Sequence, residues 1–119
     1  MSYYKVKDKP VLYVDIDSTL ITAHSDVPKE LRNTGTWIEI GYHLFRRHDA
    51  HCNKLKEFAA RGHSIVLWSA GGSDWAETVI KALNLDDLVC VIMPKPYWYM
   101  DDLEAAEFLA GKRIYIADT

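Results

Sequence analysis

Residues 11–20 decide the fold and read Val11-Leu12-Tyr13-Val14-Asp15-Ile16-Asp17-Ser18-Thr19-Leu20. An apolar run with β-branched residues is typical of a short buried strand, and this one ends in two carboxylates and two hydroxyl residues. Alternate residues of an extended segment point the same way, so we expect Asp15 and Asp17 on one face. Two like charges that close need a divalent cation or a proton on one of them. A helix N-cap or turn is the alternative interpretation, since Asp, Ser and Thr also favour those positions.

The composition is typical of one soluble globular domain. The chain has 119 residues, of which 49% are hydrophobic and 26% charged, so we expect a single domain over residues 1–119 with a core that needs no disulfide. A net charge of −3 argues against strong non-specific binding to nucleic acid. Cys52 and Cys90 have no CxxC spacing, which favours a reducing, cytoplasmic location. No segment has the length or composition of a signal peptide or membrane span.

Helices and strands alternate along the rest of the chain. Residues 21–35 are expected to be a loop and residues 36–46 a β-hairpin that turns near Gly41, so that residues 21–48 form a flap. The further predicted elements are a helix from about Ala50 to Arg61 capped by Asp49, a strand Ser64–Trp68, a helix capped by Ser73 and closed by Asn84, a strand Leu88–Met93, a short helix from about Leu103 to Ala110 and a last strand Arg113–Ala117. This alternation predicts an α/β domain with a mainly parallel sheet.

Polar side chains follow several of the predicted strands. The carboxyl ends of parallel strands share one edge of a sheet, so we expect these side chains to converge. Together they supply a carboxylate nucleophile, a second carboxylic acid, a hydroxyl, an ammonium and ligands for a divalent ion, which are the groups that phosphate-ester cleavage requires. The residues concerned are Asp15, Asp17, Ser69, Lys95, Asp101 and Asp102.

The same residues resemble the four ordered motifs of the haloacid dehalogenase-like (HAD) phosphohydrolases. Asp15-Ile16-Asp17-Ser18-Thr19 is similar to the DxDx[TV] signature, Ser69 to the second motif, Lys95 to the third and Asp101-Asp102 to the acidic fourth, over roughly residues 10–104. The resemblance is to small phage and bacterial members. It implies a Rossmann-like three-layer sandwich with a mainly parallel central sheet, a small β-hairpin flap, no cap domain and an open site.

The resemblance also implies a role for each residue. Asp15 is the nucleophile and a metal ligand, and Asp17 is the general acid and base whose backbone carbonyl binds the metal. Ser69 binds the transferring phosphoryl group, and Lys95 orients Asp15 and neutralises charge. Asp102 or Asp101 completes a Mg²⁺ site, since that ion prefers oxygen ligands. Ser18, Thr19 and Ala70 are further candidates for phosphate contacts.

The spacing of the last two motifs leaves two layouts open. Only five residues separate Lys95 from Asp101, too few for a parallel crossover of about a dozen. In one layout, Val89–Met93 is not a full sheet strand and Lys95 reaches the site from a loop. In the other, Asp118 near the end of the chain is the fourth motif. We favour Asp101 or Asp102, because the family resemblance includes that spacing.

These observations predict a Mg²⁺-dependent phosphatase that forms an aspartyl-phosphate on Asp15. Nucleotides, nucleic-acid 3′-phosphate ends and other phosphoesters are candidate substrates. The alternatives are a non-catalytic, receiver-like phospho-acceptor or binding module, and a degenerate scaffold. Arg46, Arg47 and His48 are interpreted as a solvated charge run or as a contact for substrate phosphate. Trp37, Trp75 and Trp98 are expected to pack in the core or the flap, and Trp98 is the best of the three for a substrate contact. A zinc site at His48, His51 and Cys52 is disfavoured, because no second ligand pair has matching spacing.

Overall fold

A computed structural model of the chain describes residues 5–6 and 8–117. Its strands and helices are β1 (Val11–Val14), β2 (Ile21–Ala23), β3 (Thr36–Ile40), β4 (His43–Arg47), α1 (Asp49–Ala60), β5 (Ser64–Ser69), α2 (Ser73–Ala82), β6 (Val89–Pro94) and α3 (Ala105–Phe108). The protein is therefore α/β, as the alternating pattern predicts. No helix in the described ranges is long and apolar enough to cross a membrane.

The central sheet consists of three parallel strands in the order β1-β5-β6. Val14 pairs with Leu67, so the two side chains point to the same face of the sheet. This face forms one buried apolar cluster with Cys52 and Leu55 of α1 and with residues of α2 such as Val79. The connection from β1 to β5 contains α1, and the connection from β5 to β6 contains α2; both step in the same direction along the sheet. Two right-handed crossovers in the same direction bring their helices to the same face. The described residues thus show one sheet layer and one helix layer.

Helix α1 begins one residue from its expected cap. His48, rather than Asp49, is the N-cap, because the His48 side chain accepts the backbone N–H of His51. Gly62 follows the helix with φ +89°, the left-handed conformation in which a helix commonly ends. Helix α2 starts after Gly72, which makes no side-chain cap, so the prediction that Ser73 is the cap was wrong by one position.

The flap is a three-stranded antiparallel sheet in the order β2-β4-β3. The expected hairpin is present, and Gly41 lies in its turn with φ +64°. The expectation of a loop throughout residues 21–35 was wrong at its start, because Ile21–Ala23 pairs with β4. A strand of three residues has no readable periodicity, and pairing with its neighbour determines its conformation. Phe45 of the hairpin belongs to the main apolar cluster, so the flap is anchored on the α/β core.

The end of the described chain differs from the prediction. Residues 113–117 do not form a strand, and the predicted helix is reduced to the four residues of α3. Side chains instead bind the backbone of Ile116: its carbonyl accepts from His48 and its N–H donates to His51. These hydrogen bonds occupy the two groups that Ile116 would otherwise offer to a neighbouring strand. The predicted strand Leu88–Met93 is confirmed as β6, a full strand of the sheet.

Candidate active site

Asp15 lies directly after β1, at the carboxyl end of the parallel sheet. One of its carboxylate oxygens, Oδ1, is 3.5 Å from Lys95 Nζ, and the other, Oδ2, accepts a 3.1 Å hydrogen bond from Thr19 Oγ1. The Asp15 side chain is 29% exposed, so it is sheltered but can still be reached from solution. The Lys95 ammonium offsets the negative charge of the Asp15 carboxylate. The contacts with Lys95 and Thr19 together fix the orientation of that carboxylate.

The loop after Asp15 turns sharply back on itself. The Ile16 carbonyl accepts hydrogen bonds from the N–H groups of Thr19 and Leu20, at 3.2 and 2.9 Å. Ser18 adopts φ +63°, a left-handed conformation that is uncommon for residues other than glycine. Such backbone strain is concentrated at functional sites and persists only where surrounding contacts enforce it. The turn brings the Thr19 hydroxyl to the Asp15 carboxylate.

Asp17 has a different environment from Asp15. Both of its carboxylate oxygens accept from the indole Nε1–H of Trp75, at 3.1 and 3.2 Å. Gly71 passes close by: a Cβ there would lie 3.0 Å from Trp75 Cδ1 and 3.6 Å from Asp17 Oδ2. The apolar spacing of Trp75 in α2 predicts core or flap packing and gives no sign of this polar contact.

Ser69 and Lys95 are linked through the backbone. The Ser69 carbonyl accepts the Lys95 N–H at 3.0 Å, because β5 and β6 pair up to Ser69 and Pro94. The Ser69 hydroxyl accepts the Gly71 N–H at 3.1 Å, and the residue is fully buried. Lys95 therefore follows a complete strand, contrary to the layout in which Val89–Met93 is not a full sheet strand.

A cavity of about 730 Å³ opens beside Asp15, between β1, which is an edge strand among the described residues, and the segment 109–115. Five of the predicted site residues line it, namely Asp15, Asp17, Ser18, Thr19 and Lys95. Lys54 of α1 and Lys112, Arg113 and Tyr115 of the distal segment also line it. The volume lies within the range of small-molecule sites.

The other predicted site residues lie elsewhere. Asp101 and Asp102 are exposed, do not line the cavity, and within the described part of the chain have no ion pair or hydrogen bond to Asp15 or Asp17. Asp101 instead accepts the Leu103 N–H at 3.0 Å. Ala70 and Trp98 are exposed, Ser69 is fully buried, and all three lie outside the lining. Asp118, the other candidate for the fourth motif, is outside the described residues.

Two buried histidines connect the nucleophile loop to the end of the described chain. The rings of His48 and His51 stack at 3.6 Å. His51 Nε2 accepts the Ile116 N–H at 2.8 Å, so its Nδ1 carries the proton and donates to the Thr19 carbonyl at 2.7 Å. His48 Nδ1 accepts the His51 N–H, so its Nε2–H donates to the Ile116 carbonyl at 2.8 Å. We call these two residues the histidine clamp.

The histidine clamp was not predicted as part of the site. Its distinguishing contacts are with backbone groups up to 68 positions away, for which the sequence has no signal. The interpretation of Arg46, Arg47 and His48 as a solvated charge run was wrong at two positions. Arg46 is 5% exposed and lies against Thr34, and His48 is 4% exposed. Arg47 forms an ion pair with Asp49 at 2.7 Å.

The residues beside the cavity fit a magnesium ion in part. Mg²⁺ is commonly held by one or two carboxylates, with water and substrate phosphate completing its shell. The Asp15 carboxylate and the backbone carbonyl of Asp17 are suitable oxygen donors at one end of the cavity. The described residues contain no group of three or more His, Cys, Asp or Glu side chains arranged to hold a metal ion.

Comparisons with protein families, with curated proteins and with solved structures found no match to this chain. The function of this chain is therefore inferred from the motif residues and from the geometry around Asp15.

Proposed function

We propose that this protein is a Mg²⁺-dependent phosphomonoesterase of the HAD-like type, acting through an aspartyl-phosphate on Asp15. The observation that carries the proposal is the contact of Asp15 with Lys95 at the carboxyl edge of the parallel sheet. Asp15 follows β1 and Lys95 follows β6, and the Ser69 carbonyl at the end of β5 accepts the Lys95 N–H. The proposal includes a HAD-like, Rossmann-like three-layer fold in one domain, of which the described residues contain the sheet and one helix layer, and, from the cysteine pattern, a cytoplasmic location.

The first chemical step belongs to Asp15. A carboxylate oxygen of Asp15 forms a bond to phosphorus while the bond from phosphorus to the leaving oxygen breaks. The Lys95 ammonium offsets negative charge on the nucleophile and on the phosphoryl oxygens. The Thr19 hydroxyl keeps the carboxylate oriented, which lowers the entropic cost of reaching the reactive geometry.

Asp17 supplies the protons. Its protonated carboxyl gives a proton to the leaving oxygen in the first step, and the resulting carboxylate takes a proton from the water that attacks phosphorus in the second. The bond between Asp15 and phosphorus then breaks, which restores both carboxyls. Asp17 accepts from Trp75, whereas Asp15 contacts Lys95 and Thr19, and these different partners support two different roles for the two acids.

Asp15 and the Asp17 carbonyl would hold Mg²⁺, which supplies charge neutralisation between an anionic nucleophile and an anionic substrate when bound. Asp101, Asp102 and Asp118 remain candidates for a further ligand.

Phosphate release tests the proposal. Purified protein is incubated with Mg²⁺ and either an aryl phosphate or a panel of nucleotides, and Asp15→Asn is the matched control because it keeps the side-chain shape. We expect turnover by the wild type and a loss of at least about 10³-fold in kcat for Asp15→Asn with an unchanged circular dichroism spectrum. An inactive wild type that also forms no phosphoenzyme contradicts the proposal.

A further inference from the structure

The cavity beside Asp15 has more positive charge than one phosphoryl group requires. Lys54, Lys95, Lys112 and Arg113 line it, against the two carboxylates of Asp15 and Asp17. Its lining is therefore net positive by two charges, whereas the whole chain has a net charge of −3. A positively charged cavity in a chain that is negative as a whole attracts anions, so we expect an anionic ligand.

The surplus charge is concentrated on the wall opposite β1. Lys95 is already paired with Asp15, and Lys54 with Glu57 at 3.1 Å. Lys112 and Arg113 form no ion pair with any carboxylate in the part of the chain that the structure describes: Lys112 donates to the Phe108 carbonyl, and the Arg113 guanidinium lies over the Tyr115 ring. Both cations are thus available to an anion in the cavity.

Aromatic rings accompany these cations. Tyr13 and Trp68 line the cavity as a pair with ring centroids 4.7 Å apart, and Tyr115 lines its distal wall. Tyr13 is 49% exposed and Tyr115 53%. Exposed rings next to cationic side chains are the combination with which proteins bind single nucleotides and single strands, by stacking on bases and neutralising phosphates.

We propose that the cavity binds a nucleoside phosphate that carries a second phosphate group. The phosphate to be cleaved lies at Asp15 and Lys95, the second phosphate at Lys112 and Arg113, and the base against Tyr13. A free nucleoside bisphosphate and the phosphorylated 3′ end of an oligonucleotide both present this chemistry. The assignment of the cleaved phosphate rests on the proposed function, but binding at Lys112 and Arg113 does not require turnover.

The histidine clamp places the distal wall. Ile116 follows Lys112 and Arg113 by a few residues, and its backbone is held by His48 and His51. The same His51 ring binds the Thr19 carbonyl in the nucleophile loop. The clamp therefore fixes the distance between the second-phosphate site and Asp15, which makes His51 a positioning residue for substrate selection.

Binding is tested first, in Asp15→Asn protein so that no ligand is consumed. Trp fluorescence or calorimetry is followed with adenosine 3′,5′-bisphosphate, adenosine 3′-monophosphate, a short oligonucleotide with a 3′-phosphate, and tripolyphosphate. We expect the bisphosphate or the oligonucleotide to bind at least about tenfold more tightly than the monophosphate and tripolyphosphate; which of the two binds better identifies the source of the ligand. Equal affinity for the monophosphate and the bisphosphate, or preferred binding of tripolyphosphate, overturns the proposal.

Variants locate the second phosphate and the base. Lys112→Gln combined with Arg113→Gln should lose at least about tenfold in bisphosphate affinity, while the matched pair Lys29→Gln and Lys56→Gln, which removes the same charge elsewhere, should lose less than about twofold. Tyr13→Leu should weaken the nucleotide more than it weakens tripolyphosphate. Equal losses in the two double variants, or a Tyr13 variant with no preference between ligands, contradict the assignment.

Kinetics separate this proposal from the proposed function. In an active protein, the Lys112 and Arg113 double variant should lower the ratio of kcat/KM for the bisphosphate to that for an aryl phosphate by at least about tenfold, mostly through KM. His51→Ala should lower the same ratio. A protein that binds the bisphosphate as expected but turns over nothing refutes the phosphatase and retains the nucleotide site; an active protein with an unchanged ratio refutes the nucleotide site alone.

Discussion

The indole N–H of Trp75 donates to both carboxylate oxygens of Asp17, at 3.1 and 3.2 Å, and so joins residues 58 positions apart. The Trp75 ring also packs on Phe45 of the flap, with centroids 5.7 Å apart. One side chain therefore connects the second acid of the DxD loop, helix α2 and the flap. Asp15, two residues earlier, contacts Lys95 and Thr19 instead, so the two acids have separate surroundings.

Replacing Trp75 tests whether its hydrogen bond positions Asp17. Trp75→Phe keeps an aromatic ring against Phe45 but removes the N–H donor, so Asp17 loses its fixed orientation. We expect kcat to fall about three- to tenfold with little change in KM, since a hydrogen bond to an exposed charged group contributes modestly. Trp37→Phe is the matched control. An unchanged kcat in Trp75→Phe would show that Asp17 needs no such support.

Replacing Lys95 tests charge neutralisation at the nucleophile. Lys95→Gln leaves the Asp15 carboxylate without its cation, and the phosphoryl oxygens lose theirs as well. We expect kcat/KM to fall roughly 100-fold, in line with the removal of one charge-stabilising group from an active site. Lys81→Gln on α2 removes the same charge from the surface and should retain full activity. A loss below about threefold in Lys95→Gln would assign Lys95 a structural role only.

The histidine clamp should hold the end of the described chain in place. His51→Ala removes the hydrogen-bond partner of the Ile116 N–H and of the Thr19 carbonyl, and each such bond contributes about 0.5–1.5 kcal/mol. Local opening should then expose the bonds after Lys112 and Arg113 to trypsin, and cleavage there should be at least about tenfold faster. The products are identified by mass spectrometry. His43→Ala, at an exposed flap position, is the control, and equal cleavage of both variants would rule out the clamp.

The two cysteines should differ in reactivity. Cys52 is fully buried, and burial raises the pKa of its thiol above the ordinary value, which keeps it protonated. Cys90 is exposed. Because the thiolate is the reactive form, iodoacetamide near pH 8 should label Cys90 within minutes and Cys52 only after denaturation. Rapid labelling of Cys52 in the native protein, read by peptide mapping, would contradict this burial.

The sequence predicted the elements whose signals are local. β1, α1, β5, α2 and β6 follow from apolar runs or helical spacing bounded by glycine and polar residues, and the parallel sheet follows from their alternation. The order of polar residues after the strands also placed Asp15 and Lys95 together, because strand ends in a parallel sheet share an edge.

The missed features depend on contacts between distant residues. β2 forms by pairing with β4. Residues 113–117 are not a strand, and two histidine side chains bind the Ile116 backbone there. Trp75 has the apolar spacing of a core residue. Its ring packs against Phe45, and its indole N–H also donates to Asp17. The fold brings Lys112 and Arg113 to the cavity beside Asp15. The net charge of the chain gives no information on this local arrangement of charges.

The most direct test of the central claim is to trap the phosphoenzyme. Asp17→Asn should still allow Asp15 to attack an activated aryl phosphate but should slow hydrolysis of the aspartyl-phosphate, so acid-quenched protein should carry one phosphoryl group on Asp15 and retain it much longer than the wild type does. A long lifetime shared by both proteins would indicate the receiver-like phospho-acceptor instead. Mass spectrometry that finds no phosphoryl group on Asp15 in either protein would contradict the account.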